Sequence, residues 1–212
     1  MPTGIKLCGL TRSEDVTAAA AHGADALGFV FAPGSPRVLT PDQAAALTAP
    51  LTAKPLRVGV FQDQDIDFIR MCSNVCGLHV VQLHGTESPD MARALAPLRV
   101  WKSWILRGPG DLQAARQYPA EAIVVDGECG GRSGGTGCRA DWDLAAQLAA
   151  RRDVVLAGGL SAGNVGTAIR QVRPAWVDVS SGVEEAPGIK STLRMRVFII
   201  AARLGQEGYH DR

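Results

Sequence analysis

The chain has 212 residues, with 22 Lys+Arg against 21 Asp+Glu for a formal net charge of +1, and 46% hydrophobic against 20% charged residues. That balance belongs to an ordinary globular protein long enough to bury a sizeable core. It excludes the basic footprint of a general nucleic-acid binder, and no apolar run approaches the roughly 20 residues of a membrane span.

The opening Met1-Pro2-Thr3-Gly4-Ile5-Lys6 lacks the apolar core of a signal peptide, so a cytoplasmic protein is expected, with no nucleic-acid or membrane partner. Five cysteines (Cys8, Cys72, Cys76, Cys129 and Cys138) form an odd, irregularly spaced set with no His beside them. Such a set suggests neither a disulfide framework nor a zinc site, and free thiols without a metal are expected.

From the N-terminus, short runs dense in Val, Leu, Ile and Phe alternate with longer Ala- and Leu-rich stretches. Buried parallel strands are expected over 5–8, 26–31, 56–61, 78–83, 100–104, 122–126, 154–157 and 176–179. Helices are expected over 13–22, 41–49, 65–76, 88–95, 111–117, 141–150, 162–172 and 191–204, several of them opening on a Ser, Thr or Asp that can cap the first turn. Eight β/α alternations can form a doubly wound open sheet or a closed (β/α)8 barrel. An open sheet of this length would use fewer strands, and no Gly-x-Gly-x-x-Gly follows the first one. The expected fold is therefore a single (β/α)8 TIM barrel over 1–212 without linkers, its tail from Gly205 to Arg212 frayed. The apolar outer faces of so small a barrel suit a monomer or a homodimer.

Chemistry in such barrels sits at the C-terminal ends of the strands. The first strand ends on Cys8, at the mouth, where a thiol serves as a base or nucleophile if its pKa is lowered, and otherwise is a small buried hydrophobe. After the second strand, Pro33-Gly34-Ser35-Pro36 stiffens a loop that presents Arg37, whose planar guanidinium suits a carboxylate or phosphate. His84 ends the fourth strand, where it could titrate near neutrality or equally be a hydrogen-bonded structural histidine, and it is read as a lining residue only. Asp126 closes the sixth after an apolar run, a position for a general acid. Asp126 opens a loop, 127–137, with six glycines in eleven positions, costly in folding entropy unless backbone approaches a ligand or the loop closes over one. Gly158-Gly159 and Ser180-Ser181-Gly182 follow strands seven and eight, the two places where barrels most often hold a phosphate.

Lys6-Leu7-Cys8-Gly9-Leu10-Thr11, Gly28-Phe29-Val30-Phe31 with Ser35-Pro36-Arg37, Val81-Gln82-Leu83-His84-Gly85, Gly134-Gly135-Thr136-Gly137, Leu156-Ala157-Gly158-Gly159-Leu160 and Val177-Asp178-Val179-Ser180-Ser181-Gly182-Val183-Glu184 together resemble the phosphoribosylanthranilate isomerase family, in order and over nearly the whole chain. The resemblance implies an Amadori rearrangement of a phosphosugar substrate without a cofactor. Asp126 is the implied general acid and Cys8, as thiolate, the implied base. Arg37 would pair with the anthranilate carboxylate, Asp178 with the substrate nitrogen or ribose, and His84 would line the site. Gly135, Gly158, Gly159, Ser180, Ser181 and Gly182 would hold the phosphate. A related isomerase of histidine biosynthesis should carry Asp where Cys8 stands, and a pentose-phosphate epimerase should offer metal-binding His at several strand ends, where only His84 occurs. A catalytically silent phosphosugar-binding barrel would have no use for Cys8 and Asp126 together.

Overall fold

Strands apolar on both faces must be covered on both, which a sheet achieves by closing on itself inside a ring of helices. The computed structural model describes residues 2–51, 54–129, 132–133 and 139–207. Its eight parallel barrel strands are β1 (Gly4–Cys8), β2 (Ala26–Val30), β3 (Leu56–Phe61), β4 (Val80–Leu83), β5 (Arg99–Trp104), β6 (Ala122–Val125), β7 (Val154–Leu156) and β8 (Trp176–Val179). Each pairs with its sequence neighbours, and β8 closes the circle against β1. The helices are α1 (Ser13–Ala21), α2 (Pro41–Thr48), α3 (Ile66–Val75), α4 (Pro89–Ala94), α5 (Pro109–Gln117), α6 (Trp142–Ala149), α7 (Val165–Val172) and α8 (Thr192–Glu207).

Local chemistry explains most helix starts. Thr40 and Gln43 form a reciprocal capping box on α2, and Asp65, Ser88 and Asp141 accept backbone N–H bonds at the starts of α3, α4 and α6. Ser13, by contrast, is the first residue of α1, and Arg12 before it offers no side-chain cap. The fifth helix begins two residues before the expected 111, because Pro109 presets the backbone of a first helical turn. The last helix carries on to Glu207, so 205–207 are helical where a frayed tail was expected; 208–212 lie outside the described residues. Two antiparallel ribbons were not anticipated, Glu128–Cys129 with Arg132–Ser133 and Glu184–Ala186 with Ile189–Lys190, nor was the 3-10 turn Ser181–Val183.

Outward residues of the strands, such as Leu7, Leu27, Phe29 and Ile123, pack against Leu148, Ile169, Met195 and Phe198 of the helices. Inside the barrel the floor is apolar. Ala26, Val58, Val80, Trp101, Ala122 and Val155 cluster there, with Trp176 packed against them at 5.3 Å from the Trp101 ring. Above that floor the interior turns polar. Lys6 lies opposite Asp178 across the β1–β8 pair, and Cys8 opposite Gly28 across β1–β2. Among the described residues no helix is long and apolar enough to cross a membrane.

Candidate active site

One cavity of about 330 Å³ opens at the C-terminal mouth of the barrel. Cys8, Arg37, His84, Asp126, Gly158, Gly159, Asp178, Ser180, Ser181 and Gly182 all line it. Gly135, the remaining expected phosphate contact, lies outside the described residues. Strand ends and loops from around the barrel bring together residues up to 174 positions apart in the chain (8 to 182), as the barrel topology allows.

On β1, Cys8 and Lys6 are two residues apart and so share the inward face. The neighbouring Gly28 makes room for both: a Cβ there would stand 2.7 Å from the Cys8 sulfur and 3.1 Å from the Lys6 Cε. Lys6 is fully buried and donates to Asp178 Oδ2 at 2.6 Å, while Asp178 Oδ1 is buried without a hydrogen-bond partner. Burial disfavours the Lys6 ammonium, but Asp178 and Cys8 outweigh it and hold its pKa above the ordinary value. For Cys8 burial prevails and pushes the thiol up, with the Lys6 charge pulling the other way. The site as it stands therefore holds a protonated thiol, not the lowered pKa that a mouth position suggests.

Asp126 follows β6 directly, and its Oδ1 accepts from the Gly127 N–H at 2.8 Å. His84 Nε2 stands 3.7 Å from Asp126 Oδ2, beyond ordinary hydrogen-bond length, and His84 Nδ1 shares a 2.7 Å bond with Ser103 Oγ. Burial, reinforced by the charges of Lys102 and Lys6, lowers the His84 pKa to about 4. The imidazole is thus neutral at pH 7 and held by Ser103, as in the hydrogen-bonded structural alternative and not the titrating one.

Arg37 reaches the cavity from the loop after β2 and is locked by Glu184, which accepts from Nε at 2.7 Å and from an Nη at 2.6 Å. Lys190 donates to the same Glu184 at 2.7 Å and to the Ser180 carbonyl at 3.1 Å, tying the carboxylate to the loop after β8. Burial opposes ionisation of Glu184, but its bonds to Arg37 and Lys190 leave its pKa below the ordinary range. A guanidinium has five N–H donors, and Glu184 takes two. Gly158 and Gly159 both sit in the left-handed region, φ +76° and +61°, which admits few other residues. Their turn is held by Asn164, which donates to the Gly159 carbonyl and accepts from the Ser161 N–H, both at 2.9 Å. Lys6, Ser103, Glu184 and Lys190 had no assigned part in the sequence reading. For Lys6 a signal exists: a lysine inside an apolar strand, two positions before the mouth cysteine.

A carboxyl and a thiol three strands apart, a fixed guanidinium and two glycine- and serine-bearing loops after β7 and β8 have the layout of a (β/α)8-barrel enzyme, with candidate acid–base groups and candidate anion-binding loops at one mouth. The sequence signature described as "N-(5'phosphoribosyl)anthranilate (PRA) isomerase" matches residues 5–201. The chain belongs to this family. It is 43% identical over 199 residues to N-(5'-phosphoribosyl)anthranilate isomerase of Pelobacter propionicus, covering 94% of this chain and 95% of that one. A phosphoribosyl anthranilate isomerase solved in complex with reduced 1-(o-carboxyphenylamino)-1-deoxyribulose 5-phosphate superposes with a TM-score of 0.85 at 36% identity, covering 95% of this chain and 98% of the other. A structure of monomers generated from the dimeric Thermotoga maritima enzyme matches with the same TM-score, identity and coverage.

Proposed function

We propose that the protein isomerises N-(5'-phosphoribosyl)anthranilate to 1-(2-carboxyphenylamino)-1-deoxyribulose 5-phosphate, the Amadori step of tryptophan biosynthesis in the cytoplasm, by general acid–base catalysis. The observation that carries this reading is the convergence of Cys8 and Asp126 on one cavity whose rim holds Arg37 and the loops of Gly158–Gly159 and Ser180–Ser181–Gly182. Asp126 protonates the ribose ring oxygen, and the nitrogen lone pair opens the ring to a Schiff base. Cys8, as thiolate, removes the C2 proton to give an enolamine. A proton is then added at C1 and the 2-hydroxyl proton released, so the ketone forms and both side chains return to their starting states.

The remaining groups position the substrate. Arg37 pairs with the anthranilate carboxylate through the donors that Glu184 leaves, and the backbone of the two loops cradles the phosphate, with Gly135 adding to it. Asp178 Oδ1, buried with no partner, offers an acceptor to the substrate nitrogen or a ribose hydroxyl. Neutral His84 lines the wall beside Asp126. The chain works as one catalytic unit, either alone or as a pair of copies.

The test is the fluorescence decay of phosphoribosylanthranilate with purified protein. Cys8→Ser and Asp126→Asn are each expected to lower kcat by at least about 10²-fold, the usual weight of a general acid or base, while binding of a phosphosugar product persists. Near-full turnover in both variants would overturn the reading.

A further inference from the structure

The proposed mechanism asks for a thiolate at a place where burial favours the thiol. It also leaves unused a cation that is fully buried on the inward face of β1. Lys6 is 0% exposed, stands on the inward face of β1 two residues below Cys8, and shares with it the space that Gly28 leaves open. A lysine with no surface path to water has no solvation to gain there, and its burial costs several kcal/mol unless it is paired. Its partner, Asp178 at 2.6 Å, has a second oxygen that bonds to nothing in the protein.

We propose that Lys6 is a positioning residue for proton abstraction: its ammonium, anchored by Asp178, is the charge that stabilises the Cys8 thiolate beneath the substrate. This rests on the reading of Cys8 as the base. The charged groups facing Cys8 are Lys6 on its own strand, Asp178 on β8, Lys190 on the ribbon after β8 and Arg37 from the loop after β2, with Asp126 and neutral His84 across the cavity. Arg37 and Lys190 are both bound to Glu184, which offsets much of their charge. Lys6 is bound to Asp178, whose carboxylate restrains the field that the ammonium exerts on the sulfur.

Substrate changes that balance. When the Schiff-base N–H donates to Asp178 Oδ1, one carboxylate divides its charge between two cations, and more of the Lys6 field falls on the sulfur. The thiol proton passes to water as the substrate settles, and the resulting thiolate takes the C2 proton. The arrival of the cationic intermediate thereby strengthens the base that must act on it.

The rate of Cys8 alkylation by iodoacetamide, followed against pH at the Cys8 peptide by mass spectrometry, reads this coupling without turnover. Lys6→Met is expected to move the midpoint of that profile up by about one pH unit or more, the usual effect of losing an adjacent opposite charge. Lys6→Arg, which keeps the charge, should stay near the native midpoint. The acid limb of kcat/KM should follow the alkylation midpoint upward in Lys6→Met. A merely structural Lys6 would lower turnover with both midpoints unmoved, and that outcome overturns the proposal. Should Lys6→Met fail to fold, an unmoved midpoint in Lys6→Gln, which keeps a donor for Asp178 without the charge, overturns it equally. The two readings fail separately: an active Cys8→Ser removes the base, whereas unmoved alkylation with an inactive Cys8→Ser removes only Lys6.

Discussion

His84 illustrates how far a neighbourhood can move a side chain from its solution behaviour. Burial comes first, and the charges of Lys102 and Lys6 add to it, so that the imidazolium forms only near pH 4. In the unfolded chain the same ring protonates near pH 6.5. The folded pKa is the lower one, so between these values the unfolded state binds more protons and stability falls as pH drops from about 6.5 to about 4. That shift corresponds to about 3 kcal/mol, all of it present at neutral pH. His84→Asn should flatten this part of the stability profile, measured as the urea midpoint at pH 7 and pH 4.5. An equal acid loss in the variant would place the sensitivity elsewhere. The histidine was legible as a strand-end residue, but its protonation was not, because it depends on a lysine from β5 and on one from β1.

At the level of elements, the runs of Val, Leu and Ile placed all eight barrel strands, since strands covered on both faces are mostly apolar and interrupted only at inward positions such as Lys6, Gln82 and Asp178. Helix starts were legible where a capping oxygen stood at the boundary, as at Thr40, Asp65 and Asp141. The ribbon Glu184–Ala186 with Ile189–Lys190 was not, because it has no apolar alternation and exists to present ions. Its carboxylate joins the loop that carries Arg37 to the loop that carries Ser180, a contact 147 residues apart in sequence that no local pattern encodes. Glu184→Gln leaves two buried cations without their anion, which should cost about 3 kcal/mol of stability. It should also free Arg37 to swing, so KM for phosphoribosylanthranilate should rise roughly tenfold with a smaller change in kcat, because loss of uniform binding appears in KM. Because Glu184 ionises below the ordinary carboxylate range in the fold, its contribution is present above about pH 4.5 and lost as pH falls through its folded pKa. Equal KM values for the variant and the native protein would show that Arg37 is held without it.

Across the whole molecule the barrel interior divides into two layers with different duties. The floor, with Trp101, Trp176 and small aliphatic residues, touches no part of the mouth cavity except through Val124 and Ala157. The layer above holds Lys6, Cys8, Gln82 and Asp178, where volume is left open and charge is buried at a cost. Stability and chemistry should therefore separate by depth. Trp101→Ala removes a fully buried side chain from the floor and should cost about 3–5 kcal/mol, a fall in Tm of roughly 10 °C, with KM little changed in the protein that remains folded. Gly28→Ala acts one layer higher. The added methyl would meet the Cys8 sulfur at 2.7 Å and its Cα at 3.0 Å, so either β1 or the thiol must move. Overpacking of this kind costs about 1–3 kcal/mol, yet a displacement approaching 1 Å at a reacting group can cost about 10²-fold in rate. The Tm of Gly28→Ala should fall less than that of Trp101→Ala while its kcat falls far more. The opposite ordering in paired thermal-melt and turnover measurements would mean that the floor, through the strands it spaces, also sets the geometry of the mouth.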